Sequence, residues 1–288
     1  MAETKFTKEE MDKIQEIQSS YLGIQQAFGQ LEVNRLRLEQ QLDAGQQASS
    51  QLREKFGQVQ EDEQKFIEDL NEKYGDGSAM AYHMDVTDPS SIKSVVNLCD
   101  KVDILINNAA KDPKVKKEET LTPDSRFETM TSEYWSEGID AALNGTFYCS
   151  QIIGNKMLQN GGGVILNISS DLGVIAPDQR LYRKENTPEE QQNVKPITYS
   201  AAKWAIVGMT KYLAVYWAKK NIRVNCLSPT GVYNNHPEDF VKKLSNIIPM
   251  GRMAHIDEYK GAIVFLCSDA STYMTGENLV IDGGKTVW

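Results

Sequence analysis

Tyr199 and Lys203 stand four positions apart in the run Tyr199-Ser200-Ala201-Ala202-Lys203, so on a helix their side chains project from one face. A free phenol has a pKa of about 10, too high for ready proton exchange near neutrality. A neighbouring ammonium stabilises the phenolate and draws that value down. Such a pair can act as general acid and base at an oxygen atom. The same spacing also fits the plain surface of an amphipathic helix, so the surrounding elements must decide.

From Ala79 onward, strand-like and helix-like segments alternate, the pattern of a parallel sheet covered by helices. Ala81 to Asp85 reads as a strand, and Asp88 then caps a helix that begins at Pro89. Val102 to Ile106 is a second apolar strand, and Thr131 caps a long helix through Tyr134, Ala142 and Ile152. Gly163 to Ile168 is a third strand, Tyr199 to Lys219 a helix, and Arg223 to Ser228 and Asn278 to Ile281 further strands.

The ends of these segments carry distinctive runs. Val102-Asp103-Ile104-Leu105-Ile106-Asn107-Asn108-Ala109-Ala110 closes one strand and Asn167-Ile168-Ser169-Ser170 another. Asn144 lies in Ala142-Leu143-Asn144-Gly145-Thr146. Pro229-Thr230-Gly231-Val232, Pro249-Met250-Gly251-Arg252-Met253 and Asp282-Gly283-Gly284 follow the Tyr199 helix. Taken in chain order with the Tyr199 run, over about 200 residues, they resemble the short-chain dehydrogenase/reductase family, with Ala110 where the family has Gly and one residue altered in the Pro229 turn.

The resemblance implies an oxidoreductase that uses NAD or NADP on a small-molecule substrate. Tyr199 becomes the general acid/base at a carbonyl or alcohol oxygen, and Lys203 also holds the nicotinamide ribose. Ser170, favoured over Ser169 by the family pattern, bonds the substrate oxygen, and Asn144 positions a water that relays protons towards Lys203. Asp85, Val86, Asn107 and Ala109 are expected near the adenosine, with Tyr199, Lys203 and Val232 near the nicotinamide. Tyr199 lies 29 positions after Ser170, roughly twice the spacing of compact family members. The extra residues, Asp178 to Lys195, form either part of the substrate wall or a solvated loop. With Val232-Tyr233-Asn234-Asn235-His236, they are similar to a sub-group associated with bacterial surface-sugar and flagellin modification, which implies a polar, sugar-derived substrate.

A complete family member opens with a strand, a Thr-Gly-x-x-x-Gly-x-Gly turn and a helix whose N-terminus receives the pyrophosphate. Nothing before Ala79 fits, and the strand that separates NAD from NADP is absent too. The expected fold class is therefore α/β: an incomplete Rossmann-like parallel sheet with flanking helices, over residues 78–288, lacking its first βαβ unit. In the family's strand order, 3-2-1-4-5-6-7, that loss separates the Asp85 strand from the Asn107 strand. One repair brings them side by side through a right-handed crossover over the Pro89 to Cys99 helix.

Residues 1–77 are expected to form an α-helical coiled coil that starts at Lys8, with Thr7 and Glu10 as a capping box and Phe6 with Met11 as a hydrophobic staple. Apolar residues recur in alternating steps of three and four: Ile14, Ile17, Tyr21, Ile24, Phe28, Leu31, Leu38 and Leu42. After a weak patch at Gly45 and Ser49 the register resumes at Leu52, Phe56, Val59, Phe66 and Leu70. This is a heptad seam, either one long helix or a hairpin bent near Asp43-Ala44-Gly45. A seam needs a partner, which implies a homo-oligomer, and Tyr74-Gly75-Asp76-Gly77 ends the helix.

The chain of 288 residues carries a formal charge of -9, which disfavours nucleic acid and anionic lipid as partners. Its mean hydropathy of -0.46 reflects the polar N-terminal segment. No run suits a membrane span, and the first residues lack the apolar core of a secretion signal. The scattered Cys99, Cys149, Cys226 and Cys267 read as reduced thiols of a cytoplasmic protein. His83, His236 and His255 have no metal-ligand spacing, so no metal site is expected. Two functions fit: an active NAD(P)-dependent dehydrogenase, or an inactive fusion of a coiled coil with a truncated one, serving assembly.

Overall fold

The computed structural model describes residues 7–111 and 125–288, in two compact units, Met1–Tyr82 and His83–Trp288. The first is built on α1 (Lys8–Tyr74), one helix of 67 residues that runs straight through Gly45, so the hairpin alternative is not formed. Pairs one turn apart support it: Arg35 bridges Glu32 at 2.6 Å and Glu39 at 2.7 Å, and Gln64 donates to Glu68 at 2.9 Å. Phe28, Leu31, Leu38, Leu42, Leu52, Phe56, Val59 and Phe66 are all exposed along it. Phe6 and the side chains of Glu10, Met11, Ile14, Ile17, Tyr21 and Ile24 lie outside the described residues, and with them the staple, the capping box and the first seam positions. Gly75, at φ +104°, closes the helix by donating its N–H to the Asn71 carbonyl at 2.8 Å.

The second unit is a four-stranded parallel sheet in sequential order: β1 (Ile104–Asn107), β2 (Gly163–Ile168), β3 (Ile222–Pro229) and β4 (Asn278–Ile281). Adjacent residues face opposite sides, which the β2 side chains show well. Ile165 packs with Ile153, Met157, Trp217 and Val224, whereas Leu166 packs with Leu227, Tyr259 and Leu266. The first face carries α2 (Pro89–Val96), α4 (Gly145–Gln159) and α5 (Ile197–Trp217). The other carries α7 (Lys260–Cys267), and α6 (Glu238–Ser245) packs through Leu244 against Leu181 and Met253. Asp88 caps α2 as expected, accepting from the Ser90 N–H at 2.8 Å with Pro89 first in the helix.

Two expectations are overturned. Residues 81–85 form no strand, and β1 is the outermost strand of the sheet, so the rearranged pairing does not occur. A parallel strand gains its ladder only from a neighbour; here the Asp85 N–H bonds the Ser91 hydroxyl at 2.9 Å instead. Ile104 and Ile106 stand 46% and 43% exposed on that open edge.

Before α4 comes α3 (Ser132–Ile139), capped by the Thr131 hydroxyl, which accepts from the Tyr134 N–H at 3.1 Å. Replacing Thr131 with Ala is expected to destabilise the second unit by about 1 kcal/mol, read as a lower urea midpoint with an unchanged slope. The four thiols are free, and burial pushes those of Cys149 and Cys226 up to about 11. No helix among the described residues is long and apolar enough to cross a membrane. None of their His, Cys, Asp and Glu side chains cluster to hold a metal.

Candidate active site

The ends of β2 and β3 and the first turns of α5 surround a cleft of about 370 Å³. Ser170, Tyr199, Lys203 and Val232 all line it. Such a position, outside the carboxyl ends of parallel strands, is where open α/β sheets place their ligands. The Lys203 ammonium is buried and donates to the Ile168 carbonyl at 2.8 Å, which ties α5 to the end of β2. The Ser169 hydroxyl, also on the cleft lining, donates to the Lys203 carbonyl at 2.8 Å. Gly173 makes this contact possible, since a Cβ there would stand 2.9 Å from the Lys203 carbonyl oxygen.

The Lys203 ammonium lies 5.7 Å from the centroid of the Tyr199 ring, and the Lys195 ammonium lies 4.2 Å from it. Tyr199 thus faces two cations within the range of a cation–π contact, only one of which the Tyr-x-x-x-Lys spacing announces. Lys195 ends the insertion and is clamped by Gln179, which accepts from its N–H at 2.8 Å and donates to its carbonyl at 3.1 Å. The insertion is a built wall: Asp178, Leu181, Tyr182 and Lys195 face the cleft. Gln192 is buried and bonds the backbone of Lys184 on both its N–H and its carbonyl. Arg180 forks onto Asp178 and holds that carboxyl below the usual carboxylate range. Opposite, His236 stacks on Phe240 with ring centroids 5.6 Å apart.

Asn144 is placed by an unforeseen feature, a single π-helical turn at Asp140–Asn144 between α3 and α4. Such turns insert a residue and re-aim side chains, often near functional sites. The Asn144 amide donates to the Asp140 carboxylate at 2.7 Å and is not on the cleft wall. Asn107 is also off the wall. Its amide is buried and donates to Asn167 at 2.8 Å and Ser150 at 3.0 Å, pinning β1 to β2 and α4. Asn108 and Ala110 line the cleft, whereas Ala109 does not. Asp85 is exposed, accepts from the Thr87 hydroxyl and N–H, and is held below the usual carboxylate range by those bonds. Val86 packs against Gly145, whose missing Cβ would meet it at 2.7 Å.

Beneath Ser170 lies a polar cluster that the sequence motifs do not announce. Asp171 is buried and pairs with buried Lys285 at 2.7 Å. It also accepts from the Thr230 hydroxyl at 2.8 Å, the Ser170 hydroxyl at 2.7 Å and the Leu172 N–H at 2.8 Å. The cluster joins the ends of β2, β3 and β4. Its one visible sign in the sequence is an acidic residue directly after Ser169-Ser170.

Ser170, Tyr199 and Lys203 thus stand together at the carboxyl edge of a parallel α/β sheet. The comparisons give the family. Residues 48–182 match the model described as short chain dehydrogenase, and residues 186–286 match the one described as Enoyl-(Acyl carrier protein) reductase. The first match begins inside α1. The NAD-dependent glycerol dehydrogenase of Listeria innocua serovar 6a is 33% identical over 230 residues, covering 77% of this chain and 80% of that protein. The NADP-dependent mannitol dehydrogenase of Alternaria alternata is 34% identical over 232 residues, covering 78% and 77%. A crystal structure of a short chain dehydrogenase from Leptospira borgpetersenii with bound NAD+ is similar at a TM-score of 0.63 and 35% identity, covering 74% and 78%. The chain belongs to the short-chain dehydrogenase family.

Proposed function

We propose that this chain is an NAD(P)-dependent oxidoreductase that moves hydride between the nicotinamide and a carbonyl or alcohol group of a polar, sugar- or polyol-derived small molecule. The observation that carries the reading is the gathering of Ser170, Tyr199 and Lys203 on one cleft wall. Tyr199 gives or takes the proton at the substrate oxygen, and the Lys203 ammonium favours its phenolate form. Ser170 bonds the same oxygen. Asn144 holds a water that passes protons towards Lys203.

The cleft suits the nicotinamide end of the cofactor. Lys203 offers an ammonium that ribose hydroxyls can accept from, and Val232 offers an apolar flank for the ring. When bound, the dinucleotide supplies or receives the hydride. Asp85, Val86, Asn107 and Ala109 are the residues we place along the path to the adenosine. No Thr-Gly-x-x-x-Gly-x-Gly turn occurs in the sequence, so a weaker hold on the pyrophosphate than in complete family members is expected.

The substrate class is supported by the glycerol and mannitol dehydrogenases among the relatives and by the polar wall of Asp178, Tyr182, Lys195 and His236. The motif resemblance to surface-sugar and flagellin-modification enzymes points the same way. The inactive-fusion alternative has no comparable support, because the relatives are dehydrogenases and the cleft groups are assembled. The test is titration of the purified chain with NADH and NADPH by calorimetry, followed by absorbance at the nicotinamide band with NAD+ or NADP+ and glycerol or D-mannitol. Micromolar binding with turnover upholds the reading; no binding at millimolar cofactor overturns it.

Residues 1–77 serve, in this proposal, as a coiled-coil segment that joins two copies of the chain in the cytoplasm, with 78–288 as the catalytic region. The exposed seam from Phe28 to Phe66 supports it. Replacing Leu38 and Leu42 together with Glu is expected to shift the chain from oligomer to monomer in sedimentation equilibrium, with the urea midpoint of the second unit unchanged.

A further inference from the structure

Asp171 is a buried ionisable group bonded to Ser170, and the chemistry set out above gives it no task. Its carboxylate receives four donors: Ser170 Oγ at 2.7 Å and Leu172 N at 2.8 Å on Oδ1, Thr230 Oγ1 at 2.8 Å and Lys285 Nζ at 2.7 Å on Oδ2. The side chains of Lys285 and Asp171 are 7% and 5% exposed, and the ammonium stands 2.7 Å from the carboxylate.

A backbone N–H and an ammonium can only donate, so both Asp171 oxygens act as acceptors. The hydrogen between Ser170 and Asp171 is therefore the serine's own and is held by Asp171. A hydroxyl has one proton and two lone pairs, and the Leu172 N–H takes one of those lone pairs at 3.2 Å. What Ser170 has left for a substrate is a single acceptor site. A carbonyl oxygen brings no proton to it, whereas an alcohol does.

We infer that Asp171, through the Ser170–Asp171–Lys285 chain of hydrogen bonds, is a positioning residue that turns Ser170 into an acceptor, so that the site holds the alcohol form of its substrate in preference to the carbonyl form, given the oxidoreductase activity proposed above. In the reducing direction Tyr199, rather than Ser170, then gives the proton to the substrate oxygen. Thr230 and Lys285, from the ends of β3 and β4, fix the carboxylate so that it cannot follow the serine.

Two paired substitutions test this, each removing the ammonium with the carboxylate so that no lone buried charge remains. In Asp171→Ala with Lys285→Met the Ser170 proton is released, and KM for D-fructose is expected to fall about fivefold while KM for D-mannitol holds or rises. In Asp171→Asn with Lys285→Met the amide oxygen can still accept from Ser170 and Leu172, so the native preference is expected to return. Both KM values rising together, or neither moving, overturns the assignment, since loss of mere scaffolding weakens both forms alike.

A second measurement needs no turnover. In serine-labelled native chain, nuclear magnetic resonance should show a slowly exchanging hydroxyl proton that is lost in Ser170→Ala and in the Asp171→Ala pair but kept in the Asp171→Asn pair. Its absence from the native spectrum, or its persistence without Asp171, overturns the assignment. Failure to oxidise any polyol with either cofactor counts against the proposed activity, while the hydroxyl resonance still decides the role of Asp171.

Discussion

Tyr199→Phe is expected to lower kcat by about 10²–10⁴-fold, the range for loss of a positioned acid or base, with little change in KM. The ring remains, and with it the contacts to Lys195 and Lys203 at 4.2 and 5.7 Å from its centroid. The urea midpoint should therefore stay near that of the native chain. The steady-state rate at the nicotinamide band, with D-mannitol as substrate, reads the first part, and denaturation reads the second. A Phe variant that keeps a tenth or more of the native kcat would remove Tyr199 from the proton path. Lys203→Met is a harsher change, because it also breaks the 2.8 Å bond to the Ile168 carbonyl, and a loss there mixes chemistry with folding.

The largest expected loss of stability comes from Asp171→Ala alone. It leaves the Lys285 ammonium buried with its carboxylate gone, and breaking one side of a buried pair costs about 3–5 kcal/mol. Thr230 also loses its acceptor. The variant should unfold at a much lower urea concentration than the native chain. Adding Lys285→Met removes the stranded charge and should restore most of the loss. If the single and paired variants unfold together, the ion pair at 2.7 Å contributes little to the fold.

Local periodicity and capping made much of this architecture legible. Gly163–Ile168 and Asn278–Ile281 form the strands expected of them, and the Thr131 and Asp88 caps fall where their side chains can reach the first turns. Of the two forms the heptad pattern allowed, the continuous helix is the one seen. What escaped depends on neighbours far along the chain. The residues around Tyr82 are apolar enough for a strand, but a strand needs a partner, and the sheet of the described residues is β1-β2-β3-β4 without them. Tyr199 and Lys203 could be read as a pair because a helix brings four-apart residues together. Asp171 meets Thr230 and Lys285 across 59 and 114 positions, separations that no local pattern encodes. The π-helical turn before Gly145 likewise has no spacing signal, since one added residue only shifts the register between two ordinary helical stretches.

Because β1 has, among the described residues, a partner on one side only, its amides should fall into two populations in deuterium exchange. Those aimed at β2 are shielded by the ladder that pairs Ile104 with Val164 through Asn107 with Asn167. Those aimed outward have water in place of a ladder and should label early. A two-residue rhythm of fast and slow labelling along Ile104–Asn107, set against uniformly slow β2, would be the isotopic signature of half a sheet.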